Sequence, residues 1–347
     1  MKRLRNDKIY MAVVFILALG IGLLCAGCAK GGNVDGDVPD ASDKKLKIVA
    51  TLFPQYDFAR QIAGEYADVT LLLPPGMESH SYDLRPADMI EIKESDMFIY
   101  TGKYMETWAQ TIIDSLDDSV MVVDVSEGIT LEKEEDYFVD ELDEHDHDDA
   151  DDHDNEDDAD GHSGHSHEGH SHEYDPHIWT SPVYAMQMVE NISDALIAED
   201  AEHAQEYRQR ADEYIDKLKE LDAAFRQVSG EASDKTIFFG GRFAMTYFVR
   251  EYGFDCVSAY HDCSAESEPS ISSVMRMIDE IKESGAKAVF YEELVDPKVA
   301  RTIAEETGVK LLLLHSAHNV SREEYQNGVT YLDLMWQNVE KLKEGLN

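Results

Sequence analysis

Apolar residues along this chain come in short runs separated by amphipathic stretches. Val, Ile, Leu and Phe dominate at Leu46–Leu52, Val69–Leu73, Met97–Tyr100 and Val120–Asp124, and again at Thr236–Phe239, Phe254–Ser258, Ala286–Tyr291 and Val309–Leu314. Runs so short and so continuous read as strands buried on both faces, the mark of parallel sheets. Apolar positions recur at helical spacing over Pro54–Glu65, Pro86–Glu94 and Tyr104–Leu116, and later over Arg242–Tyr252, Ser272–Ser284, Pro297–Thr307 and Arg322–Leu346. This alternation predicts an α/β protein with two lobes, each a parallel sheet with flanking helices. Between them, Ser181-Pro182 is a helix start, and no Pro or Gly interrupts Val183–Ser229. Tyr207, Ala211, Tyr214, Leu218 and Leu221 then line one face, so a long amphipathic helix is expected to join the lobes; the alternative is a surface helix of one lobe.

The N-terminus has a different pattern. Lys2, Arg3, Arg5 and Lys8 precede an apolar run from Ile9 to Leu24, shorter than the roughly 20 residues a membrane span needs. That reads as a signal peptide, with an uncleaved anchor helix reaching about Ala29 as the alternative. Leu24-Cys25-Ala26-Gly27-Cys28 resembles a bacterial lipobox, departing from it at Cys25, and the resemblance implies a lipid on Cys28. The expected organisation is a signal peptide at 1–27, a tether at 28–44, an N-terminal lobe at 45–180, a linker-helix region at 181–230 and a C-terminal lobe at 231–347. Of the other cysteines, Cys256 and Cys263 either pair as a disulfide in an oxidising compartment or stand as two free thiols, and their spacing alone does not decide between the two.

Charge narrows the function. Thirty Lys and Arg against 72 Asp and Glu give a net charge of -42, which disfavours nucleic acid and suits a cationic partner. Nearly half of the charge lies between Glu132 and Glu173, a stretch too acidic to pack a core and expected to be a disordered loop. It carries His145, His147, His153, His162, His165, His167, His170 and His172. Imidazoles beside carboxylates suit borderline divalent ions, so the loop is a candidate for metal capture; a solvated linker with incidental His is the alternative. His145-Asp146-His147-Asp148-Asp149 lacks the rigid frame that a hydrolase metal motif needs, and no phosphate-cradling loop or nucleophile elbow is present, so no enzyme is expected.

Three other histidines stand at strand ends. His80 follows Val69–Leu73 across Pro74-Pro75-Gly76, His177 precedes the linker helix, and His315 ends Leu311–Leu314. Ligands of open α/β sheets sit beyond the carboxyl ends of strands, so the three are expected to converge on one cleft.

The segment Gly76-Met77-Glu78-Ser79-His80-Ser81-Tyr82-Asp83-Leu84-Arg85-Pro86-Ala87-Asp88, then Asp175-Pro176-His177-Ile178-Trp179, then Tyr331-Leu332-Asp333-Leu334-Met335, resembles the zinc- and manganese-binding solute receptors of bacterial ABC importers. The resemblance runs from about Lys45 to Asn347. It implies two lobes joined by one long rigid helix, with the metal in the interlobe cleft and His80 and His177 as ligands. The family's third ligand position falls on Arg242, whose guanidinium has no lone pair to give. The fourth falls on His315, so His80, His177, His315 and a water would make a four-coordinate site for Zn(II). His318 or His261 would complete the shell, and Arg242 would pair with a carboxylate and hold the lobe shut. The implied function is a lipid-anchored, monomeric zinc receptor outside the cytoplasmic membrane, serving an ABC permease and its ATPase. The alternatives are a manganese or iron receptor of the same fold, or a zinc-buffering or cell-adhesion lipoprotein.

Overall fold

The computed structural model describes residues 44–79, 82–133, 174–260 and 269–347. The expected signal peptide, the tether with Cys28, His80, the histidines of the acidic loop, His261 and Cys263 lie outside them.

The first four apolar runs form β1 (Leu46–Ala50), β2 (Ala67–Leu71), β3 (Met97–Tyr100) and β4 (Met121–Asp124), a parallel sheet in the order β2-β1-β3-β4. The second four form β5 (Thr236–Phe239), β6 (Asp255–Ser258), β7 (Ala288–Tyr291) and β8 (Lys310–Leu313), in the matching order β6-β5-β7-β8. Burial on both faces explains the continuous apolar runs. In β3, Met97 and Ile99 enter a core shared by both lobes, while Phe98 and Tyr100 enter a separate outer cluster with Ile92 and Ile112. In the second sheet Ile237, Phe239 and Phe290 join the shared core, and Phe238 and Val289 pack outward against Met277, Ile281 and Ala300.

The helices are α1 (Phe53–Ala63), α2 (Pro86–Lys93), α3 (Ala109–Ile113), α4 (Pro182–Glu199), α5 (Ala204–Glu231), α6 (Thr246–Tyr252), α7 (Ile271–Ser284), α8 (Lys298–Thr307), α9 (Arg322–Gln326) and α10 (Tyr331–Leu346). Three expected helices are shorter or divided. The one beginning at Tyr104 shrinks to α3 because the Glu106 carboxylate folds back onto the Thr101 and Gly102 N–H groups. The one beginning at Arg242 starts only at Thr246, since the chain before it runs along the interlobe cavity. The one from Arg322 divides at Gly328, in a left-handed conformation (φ 72°), and α10 restarts with a Thr330/Asp333 capping box.

The linker region is also divided. Pro182 opens α4 as expected, but the chain turns at Asp200, which accepts hydrogen bonds from the Tyr207 hydroxyl and the His203 ring at 2.7 Å each. The 28 residues of α5 then span about 42 Å at 1.5 Å per residue. Its buried stripe, Tyr207, Ala211, Tyr214, Leu218, Leu221 and Phe225, packs on α1 of the N-terminal lobe and α10 of the C-terminal one.

The long helix is not the only bond between the lobes. Buried Asp57 in α1 accepts the Tyr331 N–H at 2.8 Å, at the start of α10, and the Arg60 Nε–H at 2.7 Å. Arg60 Nη2 in turn donates to the Val329 carbonyl at 2.9 Å. The loop after β8 is fastened to the N-terminal lobe as well: Gly76 N–H donates to the Val320 carbonyl at 2.7 Å, and Asn319 Nδ2 donates to the Met77 carbonyl at 2.7 Å.

Candidate metal centre

The carboxyl ends of the two sheets face each other. From the second sheet, β5 leads into Gly240-Gly241-Arg242, β7 into Glu292-Glu293-Leu294, and β8 into Leu314–His318. From the first lobe come the loop after β2, with Gly76 and Glu78, and His177 just before α4. Together these segments enclose a cavity of about 300 Å³.

His177 is 1% exposed and lies on the cavity wall. Asp175 Oδ1 accepts both its backbone N–H at 2.8 Å and its ring Nδ1–H at 2.7 Å. A carboxylate can only accept, so the proton sits on Nδ1 and the lone pair on Nε2, the arrangement that supports metal-ligating histidines. Burial alone would push the Asp175 carboxyl up, but the His177 ring, through charge and hydrogen bond, holds it below the usual carboxylate range.

His318 lines the same cavity. Its Nε2 shares a 2.7 Å hydrogen bond with Ser79 Oγ, so the residue next to His80 touches it. Behind it lies Glu293, whose carboxylate accepts the Ser316 N–H at 2.8 Å and hydroxyl at 2.6 Å. Burial opposes ionisation of Glu293, but the His315 and His318 rings and the Ser316 hydroxyl pull its carboxyl well below the usual range.

His315 is 3% exposed and is not itself among the residues that line the cavity. Its backbone N–H and carbonyl are both bonded to the Asn338 side chain of α10 at 2.8 and 2.7 Å, and its ring Nδ1 lies 3.5 Å from Glu293 Oε1 on the cavity wall. The Ala317 N–H donates to its Nδ1 at 2.9 Å, so Nδ1 holds the lone pair; in the neutral ring Nε2 then holds the proton, and that atom is buried without a partner. The turn that separates the two histidines puts Ala317 in the left-handed region (φ 62°). Leu294, on the cavity wall after β7, is also left-handed (φ 61°). Such backbone costs about 1–3 kcal/mol per residue and tends to collect at functional sites.

Arg242 does find a carboxylate, but within its own lobe. Its backbone N–H donates to Glu292 Oε1 at 3.2 Å and its Nε lies 3.5 Å from the same oxygen, so the pair joins the ends of β5 and β7 and does not bridge the cleft. Burial raises the Glu292 carboxyl, against the Arg242 N–H and charge. Among the described residues, no three His, Cys, Asp or Glu side chains converge to hold a metal ion. Cys256 is a free thiol on edge strand β6, and burial pushes its pKa up. Asp175, Glu292 and Glu293 escaped the sequence reading. The two glutamates were within its reach, because they follow the Ala286–Tyr291 run as His315 follows Leu311–Leu314.

Over residues 48–345 the chain matches the protein family described as zinc-uptake complex component A, periplasmic. It is 34% identical over 332 residues to the high-affinity zinc uptake system protein ZnuA of Bacillus subtilis, covering 93% of this chain and 94% of that one. It is 30% identical to the zinc-binding lipoprotein AdcA of Streptococcus pneumoniae, of which it spans 60% while 96% of this chain is matched. Among solved structures, the metal-dependent lipoprotein YcdH of Bacillus subtilis superposes with a TM-score of 0.69 at 31% identity, covering 87% of this chain and 99% of that one. The Zn(II)-bound ZnuA-like domain of the pneumococcal AdcA superposes with a TM-score of 0.68 at 27% identity, with the same coverages of 87% and 99%.

Proposed function

This chain belongs to the family of periplasmic zinc-uptake components, and on that premise we propose that it is the extracytoplasmic receptor that captures Zn(II) and hands it to an ABC permease and its ATPase. The observation that carries this reading is His177, buried on the cavity wall with its tautomer set by Asp175. We assign zinc ligation to His177 and His318, with His80 as the further imidazole beside Ser79. The turn at Ala317 supports His318 over His315, and Glu293 places a carboxylate behind it. A set rich in imidazole favours zinc over manganese by ligand softness.

A lipid on Cys28 would hold the receptor, as a monomer, on the outer face of the membrane. The acidic loop would serve it. Its two ends meet in a Lys133–Tyr174 bridge, and the Asp175 N–H donates to the Glu132 carbonyl at 2.9 Å, so the loop leaves and re-enters the fold beside His177. Its eight histidines would collect zinc next to the cleft.

Calorimetric titration of metal-free protein with zinc and with manganese tests the reading. One tight zinc site is expected in the full chain and in a chain lacking residues 134–173, with weaker zinc sites only in the former. Because neutral imidazole is the ligating form, the tight site should weaken as pH falls. Loss of the tight site on deletion would place the ligands in the loop, and tighter binding of manganese would overturn the zinc assignment.

A further inference from the structure

The cavity is larger than one ion needs. Its volume of about 300 Å³ falls at the lower end of the range for sites that hold small organic molecules. One wall carries a guanidinium only partly used. Arg242 has 18% side-chain exposure and spends its backbone N–H and Nε on Glu292. Among the described residues, no acceptor reaches its Nη1 or Nη2, and neither atom is fully buried, so both stay open to the cavity that Arg242 lines. It cannot turn away easily, because Glu292 is packed against Gly241, where a Cβ would overlap the carboxylate. The planar pair of Nη groups is matched to a carboxylate, which it binds through two parallel hydrogen bonds.

The rest of the lining restricts what such an anion is. Glu78, Glu292 and Glu293 lie on the same cavity. They repel a free anion and attract a dication, so the anion that fits is one that arrives bound to the metal.

We propose that the cleft takes zinc as a complex with one small α-amino or α-hydroxy carboxylate chelator, the metal held by the histidines and the chelator's carboxylate held by Arg242. This rests on the zinc-receptor reading above and names the form of its cargo. A chelating carboxylate supplies donors to the ion that the protein side chains leave open, and Arg242 recognises the oxygen the ion does not use.

Native mass spectrometry of the metal-free full chain tests this, with zinc added alone, with excess L-histidine, or with excess citrate. In at least one chelator arm the wild type should carry zinc and one chelator together. Arg242→Ala should lower the chelator-to-zinc ratio in the complex by at least about tenfold, the equivalent of one charge-assisted pair. Arg242→Lys, which keeps the charge but lacks the planar fork, should retain an intermediate share, and it decides the matter should the Ala variant fail to fold. Zinc bound without chelator in every arm of the wild type would overturn the proposal and leave the zinc-receptor reading standing. So would chelator retention that neither Arg242 variant changes. A wild type that takes no zinc in any arm would overturn both.

Discussion

At the scale of single residues, two histidines three positions apart have opposite fates. His318 lines the cavity, while His315 is buried behind it, its backbone bonded to Asn338 of α10 and its ring Nδ1 3.5 Å from Glu293 Oε1. Replacing His177 or His318 by Ala should therefore weaken zinc binding by more than about 100-fold, beyond the 10–100-fold expected for removing the supporting Asp175 carboxylate with Asp175→Asn. His315→Ala should shift affinity little while lowering thermal stability; a loss equal to that of His318→Ala in the same titration would return the ligand role to His315. Glu106 offers a separate test, read in stability and not in zinc binding. Burial raises its carboxyl from 4.5 to about 7, against hydrogen bonds from Thr51, Thr101 and Gly102. Its protonated form is thus favoured in the folded state, so the stability it contributes is full below about pH 4.5 and lost as pH rises to about 7. Glu106→Gln cannot ionise, and it should gain on the wild type by about 3 kcal/mol between pH 4.5 and pH 8 in paired urea unfolding. A difference that stays constant with pH would show the carboxyl to be unshifted.

At the scale of elements, the cleft depends on how closely β5 approaches α8. Gly240, at the end of β5, has no room for a side chain: a Cβ there would lie 2.7 Å from Ala300 Cα. Gly240→Ala should therefore cost about 1–3 kcal/mol of stability and displace Arg242 and its loop, read as a lower unfolding midpoint together with weaker zinc binding. This level was also the most legible in the sequence. Met97–Tyr100 and Thr236–Phe239 are strands at the expected residues, because continuous apolar burial leaves little freedom. Helix starts were less legible, since Glu106 and the cavity-lining Arg242–Met245 hold backbone outside helical geometry through contacts the local pattern does not carry. The site was half legible for the same reason. A strand end shows which residue leaves the sheet, as with His315, but the left-handed turn at Ala317, which brings His318 onto the cavity lining, leaves no mark in the local pattern. Asp175 stands two positions before His177, but nothing in the sequence shows that its carboxylate turns back onto the ring.

At the scale of the whole molecule, two sheets of the same strand order are held by α5, by the loop after β8 and by the Asp57–Arg60 pair against the start of α10. A chain ending at Thr330 would lack the Tyr331 N–H together with the buried face of α10. It should be cleaved by protease under conditions that spare the full chain, while Asp57→Asn in the full chain should be affected less. Equal resistance of the truncated and full chains would show that the latch contributes little. The hydrogen bond concerned joins positions 274 residues apart. A polypeptide delivered across a membrane from its N-terminus presents α1 long before α10 exists. Throughout that interval the Asp57 carboxylate has Arg60 of its own helix as a partner but lacks the backbone donor that Tyr331 brings. The first lobe is therefore finished by a contact from far along the chain, so its folding is tied to that of the second.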